Sequence, residues 1–327
     1  MTTATLKLAS GYDIPQVGFG IWKVPRETCA EQVYNAIKSG YRLIDGAYDY
    51  QNEIEAGAGV RRAIEEGIVT REEIFITTKL WNNYHEKKRA LEMAKLQNEK
   101  WGLGYIDLYL MHFPTALKYI EPSKLEFPAW WMDADRTTVE SARVPIRETW
   151  EALEEVVDLG IARSIGVSNF SAQSLYDIQT YNKYPISSLQ IEHHPYLVQP
   201  ELIQLCKEQN IIVTAYSSYG PQSFLELPGV FSELATEITP LLKHEAITAI
   251  ADKYGKSPAQ VLLRWSTQRE ICVIPKSNNQ GRLAENLNHT DFDMTEEELK
   301  SISGLNKGLR FNDPGYYLPN HPLRIFA

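Results

Sequence analysis

Cysteine is scarce in this sequence: the 327 residues include only Cys29, Cys206 and Cys272. An odd number with no Cys-x-x-Cys spacing fits neither a disulfide framework nor a structural zinc ribbon. Long apolar runs are missing as well. No stretch approaches the roughly 20 residues of a membrane span, and Met1 to Ser10 lack the basic-then-apolar run of a signal peptide. Positive charge is in deficit, with 42 acids against 33 bases and a formal charge of −9, which argues against a nucleic-acid surface. No Gly/Ser linker or low-complexity segment divides the chain, so residues 1–327 are expected to form one domain. Two sequons, Asn169-Phe170-Ser171 and Asn288-His289-Thr290, carry no weight without a secretion signal, and a cytoplasmic protein is expected.

What is present is ordinary for a folded chain: 43% hydrophobic and 23% charged residues exclude wholesale disorder. Eight short, largely apolar runs recur: Gln16–Phe19, Tyr41–Asp45, Ile74–Lys79, Ile106–Met111, Ser164–Val167, Ser188–Glu192, Ile211–Tyr216 and Cys272–Lys276. Between them lie helical patterns at Glu27–Ser39, His85–Trp101, Ile146–Leu159, Ala172–Tyr181, Pro200–Gln209, Glu245–Tyr254, Pro258–Thr267 and Thr295–Gly304. Alternation of this kind implies βαβ units and a parallel sheet. Eight units favour closure, so an α/β fold of the (β/α)₈ barrel type is expected. Thr5–Leu8 and Asp13–Pro15, joined through Ser10-Gly11, read as a hairpin that plugs the barrel's bottom, and an extended tail follows the last helix.

In such a barrel the chemistry sits at the carboxyl ends of the strands. There Tyr41-Arg42-Leu43-Ile44 ends in Asp45, Ile74-Phe75-Ile76-Thr77-Thr78 in Lys79, and Ile106–Met111 in His112. Each alone has a bland reading as a turn former, a solvated lysine or a structural histidine. Three consecutive units delivering a carboxylate, an ammonium and an imidazole to one rim are harder to dismiss. Just past Asp45 come Tyr48 and Tyr50. A phenol, with a pKa near 10, exchanges protons poorly at neutral pH, and an adjacent ammonium is expected to lower that value. Periodicity does not choose between the two tyrosines.

Five motifs in register resemble the aldo-keto reductases, most closely the fungal pentose reductases: Asp45-Gly46-Ala47-x-x-Tyr50-x-Asn52-Glu53, Lys79, His112, Gly166-Val167-Ser168-Asn169-Phe170 and Ile274-Pro275-Lys276-Ser277. Gln190–Tyr196, Ala215–Pro221 and Leu309–Pro314 carry the pentose-reductase likeness. The resemblance implies Tyr50 as proton donor, Lys79 tuning it, Asp45 holding Lys79, and His112 orienting the substrate carbonyl. Its function would be reduction of open-chain aldopentoses (D-xylose, L-arabinose) to pentitols by hydride transfer.

The dinucleotide fingerprint is lacking, since Gly18-Phe19-Gly20 has no third glycine and Gly102-x-Gly104 precedes a strand. The resemblance implies another mode of holding NADPH, with NADH as a possible substitute. Ser168, Asn169 and Gln190 would bind the carboxamide and Tyr216 would stack on the nicotinamide. Ser217 and Gln222 would follow the pyrophosphate, with Glu226 near the ribose. Lys276, Ser277, Asn278 and Arg282 would surround the 2′-phosphate, and Glu285 and Asn286 would lie near adenine. Paired cations suit a phosphate.

Trp22, Trp81 and Phe113 fall at strand ends, where aromatic faces line pockets. Trp22 and Phe113 are therefore expected to bind substrate, and the pentose-reductase resemblance makes Asn312 the residue that reads sugar hydroxyls. Residues 125–143 and the tail 315–327 match no pattern. Two other readings compete: a non-catalytic NADPH-binding regulatory protein on the same barrel, and a metal-dependent hydrolase suggested by His193-His194. Adjacent strand residues face opposite sides, so no metal site is expected. The partner is a small-molecule aldose, with no nucleic acid and no membrane. The sequence leaves the oligomeric state open.

Overall fold

The computed structural model describes residues 4–121, 124, 127, 129–227, 229–318, 320 and 322–326. The expectations for Met1, Leu125 and Ala327 therefore fall outside the described residues. Strands β1 (Thr5–Lys7) and β2 (Asp13–Pro15) pair antiparallel, with Thr5 opposite Pro15. The hairpin turns through Gly11, whose φ of 95° is open to glycine. Its Leu8 and Ile14 are buried against Leu43, Phe75, Leu108, Leu110 and Cys272, which closes the bottom of the molecule.

The next eight strands are all parallel: β3 (Gly18–Gly20), β4 (Leu43–Asp45), β5 (Phe75–Leu80), β6 (Ile106–Met111), β7 (Ala162–Ser168), β8 (Ser188–Glu192), β9 (Ile212–Tyr216) and β10 (Cys272–Val273). They lie side by side in chain order, and a parallel bridge between Val17 and Val273 joins the last to the first. Each strand has core on one side and helices on the other, which is why the runs are apolar throughout. β10 is shorter than the Cys272–Lys276 run because Pro275 has no amide hydrogen to extend the ladder.

Helices α1 (Arg26–Ser39) to α12 (Pro314–Tyr317) surround or follow the strands. The long helix expected from His85 begins at Lys87, after a 3₁₀ turn at Asn82–Tyr84. Of the helices absent from the expected patterns, two are eight residues or longer. One is α2 (Glu53–Glu65), whose sequence holds Gly57 and Gly59. Glycine weakens a helix, but here it permits contact: a Cβ on Gly59 would meet Ala30 O of α1 at 2.4 Å, and one on Gly57 would meet Trp101 O at 2.3 Å. The other is the eight-residue Gln280–Leu287, begun by Asn279, whose Oδ1 accepts from Arg282 N at 3.0 Å. The three cysteines are buried free thiols. No helix among the described residues is long and apolar enough to cross a membrane.

Candidate active site

Lys79 is fully buried, and its ammonium has three acceptors for three N–H bonds: Asp45 Oδ1 at 2.7 Å, Gly46 O at 2.8 Å and Tyr50 Oη at 3.2 Å. Asp45 Oδ2 accepts from Gln190 Nε2 at 2.7 Å, so both carboxylate oxygens are engaged. The phenol that reaches Lys79 is Tyr50, half-buried at the floor of a cleft. Tyr48 turns away, its hydroxyl accepting from Tyr84 Oη at 3.2 Å and its ring under Lys100 Nζ. Asn52, two residues past Tyr50, donates to Ile21 O at 2.9 Å and Val24 O at 3.0 Å, which ties the loop bearing Trp22 to the loop bearing Tyr50.

One expectation is reversed. Burial, then the charges of Asp45 and Asp49 and then Tyr216, hold Tyr50 well above the ordinary phenol value. The Lys79 ammonium, paired with Asp45 at 2.7 Å, does not outweigh burial and the two carboxylates. Tyr50 is thus a neutral phenol with its proton in place, which a proton donor requires. Its cation can act when negative charge develops on the reacting oxygen.

His112, just past β6, lies edge-on to Tyr50 with ring centroids 6.1 Å apart. Asp49 Oδ1 is 3.2 Å from His112 Nδ1, off the line of a well-aligned hydrogen bond. Sequence reading passed over Asp49. The only available signal was its place between the two tyrosines.

The cleft has a volume of about 640 Å³, and Asp45, Tyr50, His112, Trp22, Phe113 and Asn312 are among the residues that line it. Trp81, Trp130 and Tyr317 complete an aromatic rim. Trp130 stands 5.1 Å from Trp81 and 5.0 Å from Phe113, centroid to centroid, so the segment that matched no pattern delivers a wall of the cleft.

The cofactor candidates divide into cleft wall and backing. Gln190, Tyr216, Ser217, Gln222 and Glu226 line the cleft, as do Lys276, Ser277, Asn278, Arg282 and Asn286. Ser168 and Asn169 are buried behind it: Ser168 Oγ donates to Gln190 O at 2.9 Å, and Asn169 Nδ2 donates to His112 O at 2.9 Å. Glu285 does not line the cleft. Asn286 Oδ1 accepts from Tyr219 Oη at 3.0 Å. Lys23, also missed, reaches across the cleft to Ser223 O. Burial lowers its ammonium below the ordinary value, with Glu226 opposing and Lys276 reinforcing.

The donor set fits a phosphorylated dinucleotide. Among the described residues no salt bridge ties up Lys23, Lys276 or Arg282, so three cations without a salt bridge line one cleft, with Arg282 Nε donating to Ser277 Oγ at 3.3 Å. The volume lies within the ~300–1,000 Å³ of typical ligand sites. His193 and His194 serve other ends. His193 stacks on Trp265 at 4.8 Å, and His194 Nε2 lies 2.9 Å from Glu192 Oε1.

The model of the Aldo/keto reductase family matches residues 16–307, and the chain belongs to that family, an oxidoreductase of the barrel type. A probable NAD(P)H-dependent D-xylose reductase of Aspergillus terreus is 55% identical over 322 residues, covering 98% of this chain and 99% of that protein. An NAD(P)H-dependent pentose reductase of Pyricularia oryzae is 54% identical over 332 residues, covering all of both. A crystal structure of a Bombyx mori aldo-keto reductase in complex with NADP superposes with a TM-score of 0.85 at 34% identity, covering 98% of each chain.

Proposed function

We propose that this enzyme reduces open-chain aldopentoses, D-xylose and L-arabinose, to the pentitols with NADPH, and that NADH can replace NADPH. The observation that carries the reading is the Asp45–Lys79–Tyr50 chain of hydrogen bonds opening into a cleft lined by three cations that form no salt bridge. The relatives named above, similar over almost their whole length, support it.

When bound, the reduced nicotinamide supplies a hydride. Tyr50 gives its proton to the carbonyl oxygen, and His112 orients that oxygen between them. Lys79 stabilises the phenolate left behind, and Asp45 keeps the ammonium charged and fixed. Donors held in place before charge develops need no reorganisation. Gln190, backed by Ser168 and Asn169, holds the carboxamide, and Tyr216 offers its ring to the nicotinamide. Ser217 and Gln222 follow the pyrophosphate and Glu226 the ribose. Lys276, Ser277, Asn278 and Arg282 take the 2′-phosphate, with Glu285 and Asn286 toward adenine. Trp22, Phe113 and Asn312 bind the sugar, to which Asp49 adds an acceptor. Residues 1–327 work as one domain, and buried reduced cysteines suit a cytoplasmic setting.

The test is a panel of aldoses assayed with NADPH and NADH in parallel. Oxidation of NADPH on adding D-xylose or L-arabinose is expected. Absence of turnover with any pentose would overturn the reading.

A further inference from the structure

Glu192, the last residue of β8, has no exposed surface and no contact with the proposed reacting atoms. A charge is costly to bury unless it is paired and hydrogen-bonded, and here the bonds go to a distant part of the chain. Oε1 accepts from Phe311 N at 2.9 Å, and Oε2 accepts from Asn312 N at 2.8 Å. His194 Nε2 completes the set at 2.9 Å from Oε1.

One carboxylate therefore grips two consecutive backbone N–H groups of a segment that belongs to no strand or helix. Adjacent peptide planes held in this way have little freedom to rotate. The side chain so presented is that of Asn312, whose Nδ2 donates to Tyr216 Oη at 3.0 Å and whose Oδ1 accepts from Tyr317 Oη at 3.2 Å. A second tie reinforces the first: Gln199 Nε2 donates to Glu192 O at 2.7 Å, and Arg310 Nη2 donates to Gln199 Oε1 at 3.1 Å.

We propose that Glu192 is a positioning residue for aldose selectivity, acting through the backbone of Phe311 and Asn312 to set the Asn312 amide against the substrate hydroxyls. The proposal rests on the pentose-reductase reading. Replacing Glu192 by Gln keeps the shape but aims an amide N–H₂ at one of the two backbone N–H groups, a donor facing a donor.

The experiment compares D-xylose with propanal, an aldehyde without hydroxyls, using NADPH as reductant. In Glu192→Gln the KM for D-xylose should rise about tenfold, while kcat/KM for propanal stays within about twofold, because only hydroxyl contacts are displaced. In an Asn312→Ala background the same change should add less than about twofold, since coupled residues are non-additive. An unchanged D-xylose KM, an equal loss on both substrates, or a full additional effect in the Asn312→Ala background would each overturn the proposal. If Glu192→Gln does not fold, Glu192→Asp, which keeps the charge and loses one methylene of reach, is read by the same criteria. Failure of the underlying reading shows earlier and differently, as wild-type enzyme that turns over propanal but no pentose, and takes this inference down with it.

Discussion

The hydroxyl of Tyr216 donates to Asn169 Oδ1 at 2.6 Å and accepts from Asn312 Nδ2 at 3.0 Å, so one phenol links a residue backing the cofactor wall to one proposed to read the sugar. Removing that oxygen leaves the ring but strands two buried or half-buried amides. Tyr216→Phe should therefore raise the D-xylose KM about five- to tenfold, the scale of an unsatisfied polar partner, while NADPH affinity changes less than about twofold because stacking survives. Steady-state kinetics and a fluorescence titration separate the two.

Tyr50→Phe removes the proton donor and nothing else from the cleft floor. Turnover should fall by about 10²–10⁴-fold, the usual contribution of a positioned acid. The dissociation constant for NADPH should be unaltered, and unchanged turnover would remove Tyr50 from its role.

At the far end of the cleft, Lys276 and Arg282 have no salt-bridge partner among the described residues. Arg282→Ala and Lys276→Met should each raise the NADPH KM about 10- to 100-fold, as expected for lost charge-assisted hydrogen bonds. NADH, which has no 2′-phosphate, should be affected far less. An equal effect on both cofactors would place these cations elsewhere on the ligand.

Acid should loosen the fold through buried histidines. Burial depresses His85 from 6.5 to about 3 and His289 from 6.5 to about 4. Their neutral forms contribute stability that is fully present above the unfolded value of 6.5 and is lost as pH falls toward the folded values, because only the unfolded chain takes up the protons in that window. Melting temperature should fall steadily from pH 7 to pH 4 (roughly, from the reference histidine value), and His85→Phe should flatten the slope. A slope identical to wild type would contradict this assignment.

The strand-end trio was readable because a parallel barrel forces chemistry onto one rim: once eight apolar runs are counted, Asp45, Lys79 and His112 stand at equivalent places without any coordinates. The hairpin was readable from its turn residues. Helix α2 was not, because Gly57 and Gly59 answer to neighbours, Trp101 and Ala30, that are distant in sequence. Asp49 and Lys23 were passed over, and Trp130 stood in a segment without a pattern, for a similar reason, since nothing in their local patterns says which way a loop residue points.

The amino-acid order alone determined the alternation of elements, the polar breaks at their ends and, through family likeness, the chemistry. Only the tertiary structure decided between Tyr48 and Tyr50 on geometric grounds, and only it placed Tyr50 where burial and the carboxylates of Asp45 and Asp49 raise its phenol. The physical reason is the same in both cases. Which tyrosine meets the ammonium depends on the turn that carries it, and which charges the phenol faces depends on Asp45, brought to 2.7 Å of Lys79 from a strand 34 residues earlier.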